Sequence, residues 1–409
     1  MCNSTKNPAV QITEIMSRLY QHGLTTSTGG NISMRDEAGN IWITPGATDK
    51  GRMHPEEIVC MDDNGVVKQG GRPSIETHFH CGIYRACPHI GGIIHAHCIS
   101  MISFSCMREF PFTDLIDLPN VRDVKAGRAS CYPPGSELLT EEVVAEFKRG
   151  CNTVLIDNHG VVVGSDTLEH ALKTLEELEL CAAVQLNAMT LADKSSITRY
   201  VGERKPVMAM SGEGEVPEGT ALMLCDFLNR GYQKGLFTSS FGRISVRTED
   251  GGMIINTPQI DRCIPDVKEF IRAGAETALD EEADFHRRLY ATNPDAACVV
   301  TAVPITAMTL SVLNEEYDLF LDVESLLGLC RVNKCGSDPS KEELRGVTCH
   351  LVRNRFAATC GTSVFQAFDK MEIMENGVKY RLNAKRIGLE FAPMEDKCRC
   401  LMMPGTTAL

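Results

Sequence analysis

The chain contains two copies of one sequence pattern, and this repeat constrains the fold more than any other feature. Residues 20–35 read YQHGLTTSTGGNISMR and residues 232–247 read YQKGLFTSSFGRISVR, which are identical at 10 of 16 positions without a gap. The similarity continues from Glu76 and Glu282, where ETHFHCGIYRA aligns with EADFHRRLYAT. Because a repeat of this length marks duplicated structural units, the sequence predicts two related domains.

The predicted domains are residues 1–210 and residues 211–409. A chain of 409 residues exceeds the roughly 100–200 residues of one typical domain, which agrees with this division. The join is placed at residues 211–217, where glycine, proline and acidic residues occur together as they do in linkers.

Hydrophobic periodicity predicts helices and strands mixed along each copy. Apolar residues recur at helical spacing near the start of both copies: Ile12, Ile15, Met16 and Leu19, then Leu224, Phe227 and Leu228. Further segments are predicted as strands at 40–44, 92–97, 153–157 and 253–257, and as helices from Ser74 and over 167–186. The pattern therefore predicts an α/β fold with two tandem α/β/α layered domains.

Composition excludes several classes of protein. A formal net charge of -13 argues against a nucleic-acid partner, because phosphate contacts require a basic surface. The chain lacks an apolar run of about 18 residues, so we expect no membrane span. Its N-terminus lacks the charged and apolar regions of a signal peptide, and its 18 cysteines are scattered. We therefore expect reduced thiols, a cytoplasmic location and a small-molecule substrate.

Two histidines in the predicted strand GIIHAHC form the strongest candidate site. His95 and His97 are two residues apart, so both imidazoles project from one face of a strand and can reach one ion. His159 ends another apolar segment, and Glu76 lies at the start of a helix that Ser74 can cap. Three histidines and a carboxylate suit a metal ion with an open position, although paired strand histidines also occur as packing residues.

The second copy distinguishes these two interpretations. Its residues at the aligned positions are Thr301, Val303 and Arg355, so all three histidines are replaced together. Packing histidines in two copies of a fold would be replaced one at a time, whereas members of one site are lost as a set. Glu282 still stands opposite Glu76. The comparison favours a metal site in the first copy alone.

The motifs TSTGGNISMR, WITPGATDKG, PSIETHFH, IIHAHC and IDNHGVVV, in this order, resemble those of the class II aldolase/adducin family. The resemblance implies a central, mainly antiparallel sheet flanked by helices, in each of two domains. It also implies a catalytic divalent ion, most often zinc with manganese or iron as alternatives, held by His95, His97 and His159. Glu76 would then be the acid/base that moves a proton near the ion.

The resemblance also implies a phosphate-binding cradle. Asn31, Gly46 in the turn after Pro45, and the residues Ser74 and Ile75 would line it. The sequence departs from the family here, because isoleucine replaces the second serine of a common Ser-Ser-Glu motif and no hydroxyl directly follows the proline. Both a phosphorylated substrate and an unphosphorylated ketone or keto acid therefore remain open.

The second copy is interpreted as a degenerate domain. Members of the family that it resembles form fourfold rings, so a tandem chain is expected to form a homo-oligomer, such as a dimer arranged as a pseudo-fourfold ring. Tyr317 is a candidate acid supplied by a neighbouring subunit, although a packing or surface role is the favoured interpretation. Arg355 is interpreted as filling the vacated pocket, and Asp114 and Asp117 as solvated loop carboxylates.

The leading functional hypothesis is a metal-dependent lyase that acts through an enolate on a small carbonyl substrate. Hydrolytic cleavage of a 1,3-diketone, epimerisation and dehydration of a ketose phosphate need the same ion and base, so they remain alternatives. A non-catalytic, adducin-like assembly module is the hypothesis from a different class. The complete histidine set in the first copy argues against it.

Overall fold

The computed structural model describes residues 7–202, 210–212, 214–313, 315–318, 322–389 and 394–395. It divides the chain into two compact units. The first unit contains residues up to 113 together with 120–182, and the second contains 114–119 together with the chain from 183 onward. Each unit has its own sheet and its own buried apolar cluster.

The first unit alternates helices and short strands, as an α/β domain requires. Its elements in chain order are α1 (Pro8–Gln21), β1 (Asn31–Arg35), β2 (Ile41–Ile43), β3 (Val59–Met61), β4 (Val67–Gln69), α2 (Thr77–Ala86), β5 (Gly92–Ala96), α3 (Ile99–Met107), β6 (Ala126–Ala129), α4 (Glu137–Lys148), β7 (Thr153–Ile156), β8 (Gly160–Ser165) and α5 (Leu168–Leu191). The last helix contains the boundary between the units, at residue 182.

The sheet of the first unit has the order β4-β3-β2-β1-β5-β8-β7-β6. All neighbouring strands are antiparallel except β6 and β7, which are parallel. Strand β5 therefore lies near the centre, paired with β1 on one side and β8 on the other. All five of its residues are buried, so a polar side chain here needs a specific partner.

The second unit repeats this arrangement. Its elements are α6 (Glu218–Gln233), β9 (Arg243–Arg247), β10 (Met253–Asn256), β11 (Phe270–Ala273), α7 (Glu281–Thr292), β12 (Cys298–Ala302), α8 (Ile305–Val312), β13 (Asn333–Cys335), α9 (Lys341–Leu344), β14 (Cys349–Val352), β15 (Phe356–Gly361) and α10 (Val364–Arg386). Its sheet has the order β11-β10-β9-β12-β15-β14-β13, with one parallel pair between β13 and β14.

These two sheets confirm the predicted fold class and the tandem organisation. The expected helix at the start of each copy is present as α1 and α6, with Ile12, Ile15, Met16 and Leu19 buried in α1. Each helix is followed by a glycine with positive φ, Gly23 at 67° and Gly235 at 68°, as a C-terminal cap requires. The predicted domain boundary at residue 210 stays a prediction, and residues 203–209 lie outside the described part.

Strand register confirms the alignment between the two copies. Asn31 pairs with His95 in the first sheet, and Arg243 pairs with Thr301 at the corresponding place in the second. The turn before β8 also matches the turn before β15, because Asn158 and Asn354 both adopt a left-handed conformation, with φ of 55° and 56°. Asparagine tolerates this conformation better than most residues.

A few features of the described residues bear on the expectations from composition. No helix in the described ranges is both long and apolar enough to cross a bilayer. All cysteines in those ranges are free thiols, and most of them are buried. Ser74 is not the N-cap of α2, because Glu76 holds that position, and the Ser74 hydroxyl instead accepts a hydrogen bond from the Glu76 amide.

A buried glutamate fixes the start of the helix that follows the central strand in each unit. Glu179 on α5 accepts hydrogen bonds from the amides of Ser100 and Met101, at 2.8 and 3.0 Å. Glu375 on α10 does the same for Thr306 and Ala307. These amides lie in the first turn of α3 and α8, where no helical carbonyl can accept from them. The carboxylate also stabilises the positive end of the helix dipole.

We expect Glu179→Gln to lower the unfolding free energy of the first unit by about 1–3 kcal/mol, because the amide presents only one acceptor to two buried donors. Thermal unfolding and hydrogen exchange of the two amides measure this. Glu169→Gln, at an exposed position of the same helix, is the matched control and should change stability by less than about 0.5 kcal/mol. An equal loss of unfolding free energy in both variants would contradict the stabilising role of the hydrogen bonds between Glu179 and the start of α3.

Candidate metal centre

Three histidines of the first unit converge at the end of the central strand. His95 lies on β5 and His97 just after it, so the two-residue period of the strand directs both side chains to one face. His159 is brought to the same place by the tight turn between β7 and β8. The ligand nitrogens of the three residues all lie within 4.8 Å of one another. The predicted cluster therefore forms, and it can hold a divalent cation.

The hydrogen bond of His95 sets its tautomer. Its Nδ1 lies 3.1 Å from the carbonyl oxygen of Val161, which can only accept, so Nδ1 carries the proton. The lone pair of Nε2 then points towards His97 Nε2, 3.2 Å away. Burial lowers the pKa of His95 to about 3, with a further contribution from His159. Burial and the neighbouring His95 lower the pKa of His97 to about 4. Neutral imidazole is the form that binds metals.

Glu76 completes the cluster. Its side chain is 5% exposed, and its Oε2 accepts a hydrogen bond of 2.7 Å from the Asn31 amide. Oε2 also lies 3.4 Å from His95 Nε2, and Oε1 lies 3.6 Å from His159 Nε2. Oε1 is buried without a hydrogen-bond partner. An unsatisfied carboxylate oxygen beside three neutral imidazoles is a suitable environment for a divalent cation, so the residues present fit the ion that the fold implies.

A chain of buried hydrogen bonds holds Glu76 from behind. His80 Nε2 lies 2.5 Å from Oδ1 of the Asn31 side chain and must donate to it. His80 Nδ1 therefore accepts from the Ser33 hydroxyl at 2.6 Å, and Ser33 in turn is 2.9 Å from the Tyr84 hydroxyl. Both ends of the Asn31 amide are occupied in this way. Asn31 thus orients the carboxylate, and its predicted contact with substrate stays a prediction.

Two glycines leave space for the imidazoles. A Cβ atom at Gly29 would lie 2.7 Å from His97 Nδ1. A Cβ atom at Gly160 would lie 2.6 Å from the Ala96 carbonyl oxygen and 3.2 Å from His95 Cε1. All three distances are shorter than van der Waals contact, so a side chain at either position would require a histidine or the backbone at Ala96 to move. Glycine permits this close approach.

The segments predicted to form the cradle do lie together. Pro45 pairs with Pro73 in an isolated bridge, and the Gly46 amide donates to the carbonyl of Arg72 at 3.2 Å. This bridge places the turn after Pro45 beside Ser74, which is buried. The side chain of Ile75 is 53% exposed. The roles of Gly46, Ser74 and Ile75 in substrate binding stay predictions.

Lys50, which follows the same turn, is not a free ligand for an anion. Its ammonium group is buried and donates a hydrogen bond of 3.0 Å to the Pro45 carbonyl oxygen. Burial lowers the pKa of Lys50 to about 8, and Glu57 partly opposes this shift. Lys50 therefore stabilises the turn from inside.

The equivalent place in the second unit holds different contacts. The guanidinium of Arg355 donates to Glu281 and to the Ser337 carbonyl oxygen, at 3.0 and 3.1 Å, and its predicted role in filling the vacated pocket stays a prediction. Arg243 contacts Glu282 instead. The sequence comparison missed Arg243 because it followed only the positions of the three histidines.

Three other candidates of the second unit are placed by local contacts. The Tyr317 hydroxyl lies 3.0 Å from Ser325 Oγ, which favours packing, and its role as an acid stays a prediction. Asp114 pairs with Arg199 at 2.6 Å. The expectation that Asp117 is solvated is wrong, because Asp117 is 6% exposed and its amide donates to the Asn354 carbonyl oxygen.

The Ser33–His80–Tyr84 chain was also missed at the level of sequence, although the repeat contains the signal for it. Ser245, His286 and Tyr290 occur at the aligned positions. Ser245 Oγ lies 2.7 Å from His286 Nδ1 and 2.8 Å from the Tyr290 hydroxyl. A residue set kept in both copies, including the copy without the histidine cluster, belongs to the shared framework.

Comparison with known proteins agrees with this geometry. The family model described as "Class II Aldolase and Adducin N-terminal domain" matches residues 10–186 and 223–382. The chain belongs to the class II aldolase and adducin family. It contains two domains of this family in tandem, and within the part of the chain that the structure describes only the first carries the histidine cluster.

Characterised relatives of the family differ in the reactions that their names state. The 3-oxo-tetronate 4-phosphate decarboxylase of Haemophilus influenzae is 32% identical over 165 residues, which cover 39% of this chain and 78% of that protein. The methylthioribulose-1-phosphate dehydratase of Gluconacetobacter diazotrophicus is 28% identical over 186 residues, which cover 43% of this chain and 90% of that protein. The L-fuculose phosphate aldolase of Escherichia coli K12 is 28% identical over 189 residues, which cover 45% of this chain and 85% of that protein.

We expect His97→Ala to weaken zinc binding by more than about 100-fold. Loss of a residue that only hydrogen-bonds to a metal ligand costs about 10–100-fold, and His97 is proposed to be a ligand itself. The half-buried position should let the variant fold. Elemental analysis after dialysis and competition with a chelator measure the loss. His89→Ala, at an exposed position on the same unit, is the control and should retain the metal of the wild type. Unchanged metal content in a variant with both His95 and His97 replaced by alanine would rule out this site.

Proposed function

We propose that the first unit is a divalent-metal-dependent lyase that breaks or forms a carbon–carbon bond next to the carbonyl of a small substrate. The observation that carries this proposal is the unpartnered Oε1 of Glu76 beside His95, His97 and His159. A site built for packing alone would satisfy that oxygen within the protein. A buried base beside a cation pocket suits chemistry in which negative charge develops on a substrate.

The bound ion, which we expect to be zinc with manganese or iron as alternatives, would supply Lewis acidity that stabilises an enolate. The three imidazoles would hold the ion in neutral form. Of these, His95 is the most rigid, because Val161 fixes its ring orientation through Nδ1. Gly29 and Gly160 keep the space in which the rings meet.

Glu76 would move the proton. Asn31 occupies Oε2, so Oε1 is the oxygen that can accept a proton from substrate carbon or return one to it. The hydrogen-bond chain through Asn31 and His80 restricts rotation of the carboxylate, which keeps Oε1 directed at the pocket. General acid–base groups positioned in this way contribute about 10²–10⁴ in rate.

Decarboxylation of a 3-oxo acid is the second candidate, and the decarboxylase relative supports it. In that reaction the bond to the carboxylate breaks, carbon dioxide leaves, and the electron pair stays on the adjacent carbon as an enolate. Glu76, once it has taken up a proton from water, could then transfer that proton to the carbon. Aldol cleavage leaves the same enolate with an aldehyde as the other product. Hydrolysis of a 1,3-diketone, epimerisation and dehydration stay open as alternatives on the same residues.

The proposed substrate is a small carbonyl compound, and the three named relatives favour a phosphorylated one. The turn after Pro45 and the segment of Ser74 and Ile75 lie side by side, which supports a cradle at this place. Ile75 offers an exposed apolar side chain where a hydroxyl is common in the family, so an unphosphorylated ketone or keto acid is included in the test.

Glu76→Gln should lower the turnover rate by about 10²–10⁴-fold while zinc stays bound, because the amide keeps the side chain's size but cannot accept the proton. The assay follows carbonyl products and carbon dioxide from a panel of ketose phosphates, 3-oxo acid phosphates and their unphosphorylated analogues. Glu169→Gln serves as the control with unchanged turnover. A wild-type protein that binds zinc but converts nothing in this panel would favour the adducin-like assembly role.

We also propose that the chain forms a homo-oligomer with an even number of subunits, with a pseudo-fourfold dimer as the simplest arrangement. The tandem of two family domains supports this proposal. Light scattering at working concentration should give a mass of at least twice 44.9 kDa. A monomer would contradict both the ring and the role of Tyr317 as an acid from a neighbouring subunit.

A further inference from the structure

The two units share one framework around the conserved glutamate. In each, a serine on the first strand of the copy contacts a buried histidine on the following helix, at 2.6 Å for Ser33 and His80 and 2.7 Å for Ser245 and His286. The glutamate precedes that histidine by four residues in both copies. Differences in what the pockets bind must therefore come from the few side chains that change between them.

Two changes beside the lost histidines bring new charged groups into the second pocket. Arg243 stands where the first copy has Asn31, as the strand register shows. Asp280 stands two residues before Glu282, in the place that Ser74 holds before Glu76. The second pocket thus gains one guanidinium and one carboxylate, and its net charge from these two positions is unchanged.

The guanidinium of Arg243 is bound entirely inside the second unit. Its side chain is 2% exposed. Nε donates to Glu282 Oε2 at 3.0 Å, Nη2 pairs with Asp280, and Nη1 donates to the Asn256 carbonyl oxygen at 3.3 Å. An arginine with every nitrogen engaged inside the protein is a permanent part of the fold, because withdrawing it would leave buried carboxylates unpaired.

Thr301 completes the contrast with the first unit. Its hydroxyl, at the position of His95, donates to Glu282 Oε1 at 2.6 Å. Both oxygens of Glu282 are therefore hydrogen-bonded within the chain. In the first unit, Asn31 supplies a neutral donor to one oxygen of Glu76 and the other has no partner. A buried carboxylate needs a compensating positive charge, and the described partners of Glu76 do not provide a permanent one.

We propose that position 31 of the first unit and position 243 of the second decide what pairs with the glutamate: Asn31 leaves the positive charge beside Glu76 to a soluble divalent cation, whereas Arg243, shared between Glu282 and Asp280, supplies a guanidinium of the chain. The second pocket is then closed to metal by Arg243 and not only by the loss of histidines. This inference rests on the proposed function for the statement that the first unit binds an ion.

The first experiment moves the guanidinium into the first unit. Asn31→Arg combined with Ser74→Asp reproduces the Arg243–Asp280 pair, and it should lower zinc affinity by more than about 100-fold while the unfolding midpoint is kept. Asn31→Met combined with Ser74→Asn is the matched control, with similar bulk and no new charge. The zinc affinity of this control should fall by no more than about 10–100-fold. Full zinc binding by the Arg/Asp variant, or an equal loss in the control, would overturn the proposal.

The second experiment opens the pocket of the second unit. Three substitutions, Thr301→His, Val303→His and Arg355→His, restore the histidines but keep Arg243, so no additional zinc or cobalt should bind. Adding Arg243→Asn and Asp280→Ser should create a site with one further ion per chain. Elemental analysis measures the stoichiometry, and the absorption spectrum of cobalt reports histidine coordination. An additional ion in the three-substitution variant would contradict the role of Arg243.

The two arms separate the inference from the proposed function. A wild-type chain that binds no divalent ion would contradict the proposed function, and the second arm alone would then decide the role of Arg243. A five-substitution variant that folds, by circular dichroism, and still binds no ion would count against the inference. Failure of that variant to fold would also count against it, because a shared framework predicts that the residues of the first pocket fit the second.

Discussion

Glu76 places a carboxylate in a pocket where it is 5% exposed and where only one of its oxygens has a hydrogen-bond partner. Most of the first unit's local structure serves this arrangement. The sheet brings Asn31 against His95, the helix α2 presents Glu76 and His80, and a left-handed turn carries His159 back to the strand end. A buried carboxylate without a counter-charge is costly, so the arrangement suits a site that a cation would complete.

The second unit shows that the fold itself does not depend on that ion. The second unit has the corresponding strand order and an asparagine in a left-handed turn. It also has a glutamate that accepts hydrogen bonds from the start of the helix after the central strand. What changes is the source of positive charge, which Arg243 supplies from within the chain. Duplication has thus separated the structural requirements of the family's fold from its chemical requirements within one molecule.

Membership of the class II aldolase and adducin family explains why the reaction is harder to assign than the site. The relatives named as a decarboxylase, a dehydratase and an aldolase cover similar shares of this chain. A pocket that combines a cation site with one mobile proton can serve any reaction that passes through an enolate. If the exposed Ile75 lines the substrate pocket as we propose, groups such as this side chain would select among these reactions more than the histidines do.

The sequence by itself determined the duplication, the α/β class, the four helices α1, α2, α5 and α6, the four strands β2, β5, β7 and β10, and the identity of the three histidines. Periodicity and repeat comparison record these properties, because they are local or can be read from aligned positions. Only the tertiary structure decided that Asn31 holds Glu76, that Lys50 and Asp117 are buried, and that Arg243 rather than Arg355 neutralises Glu282. These outcomes depend on which side chains share a buried volume. Burial changes the free energy of a charged group strongly, and a sequence pattern does not show which charged groups become buried.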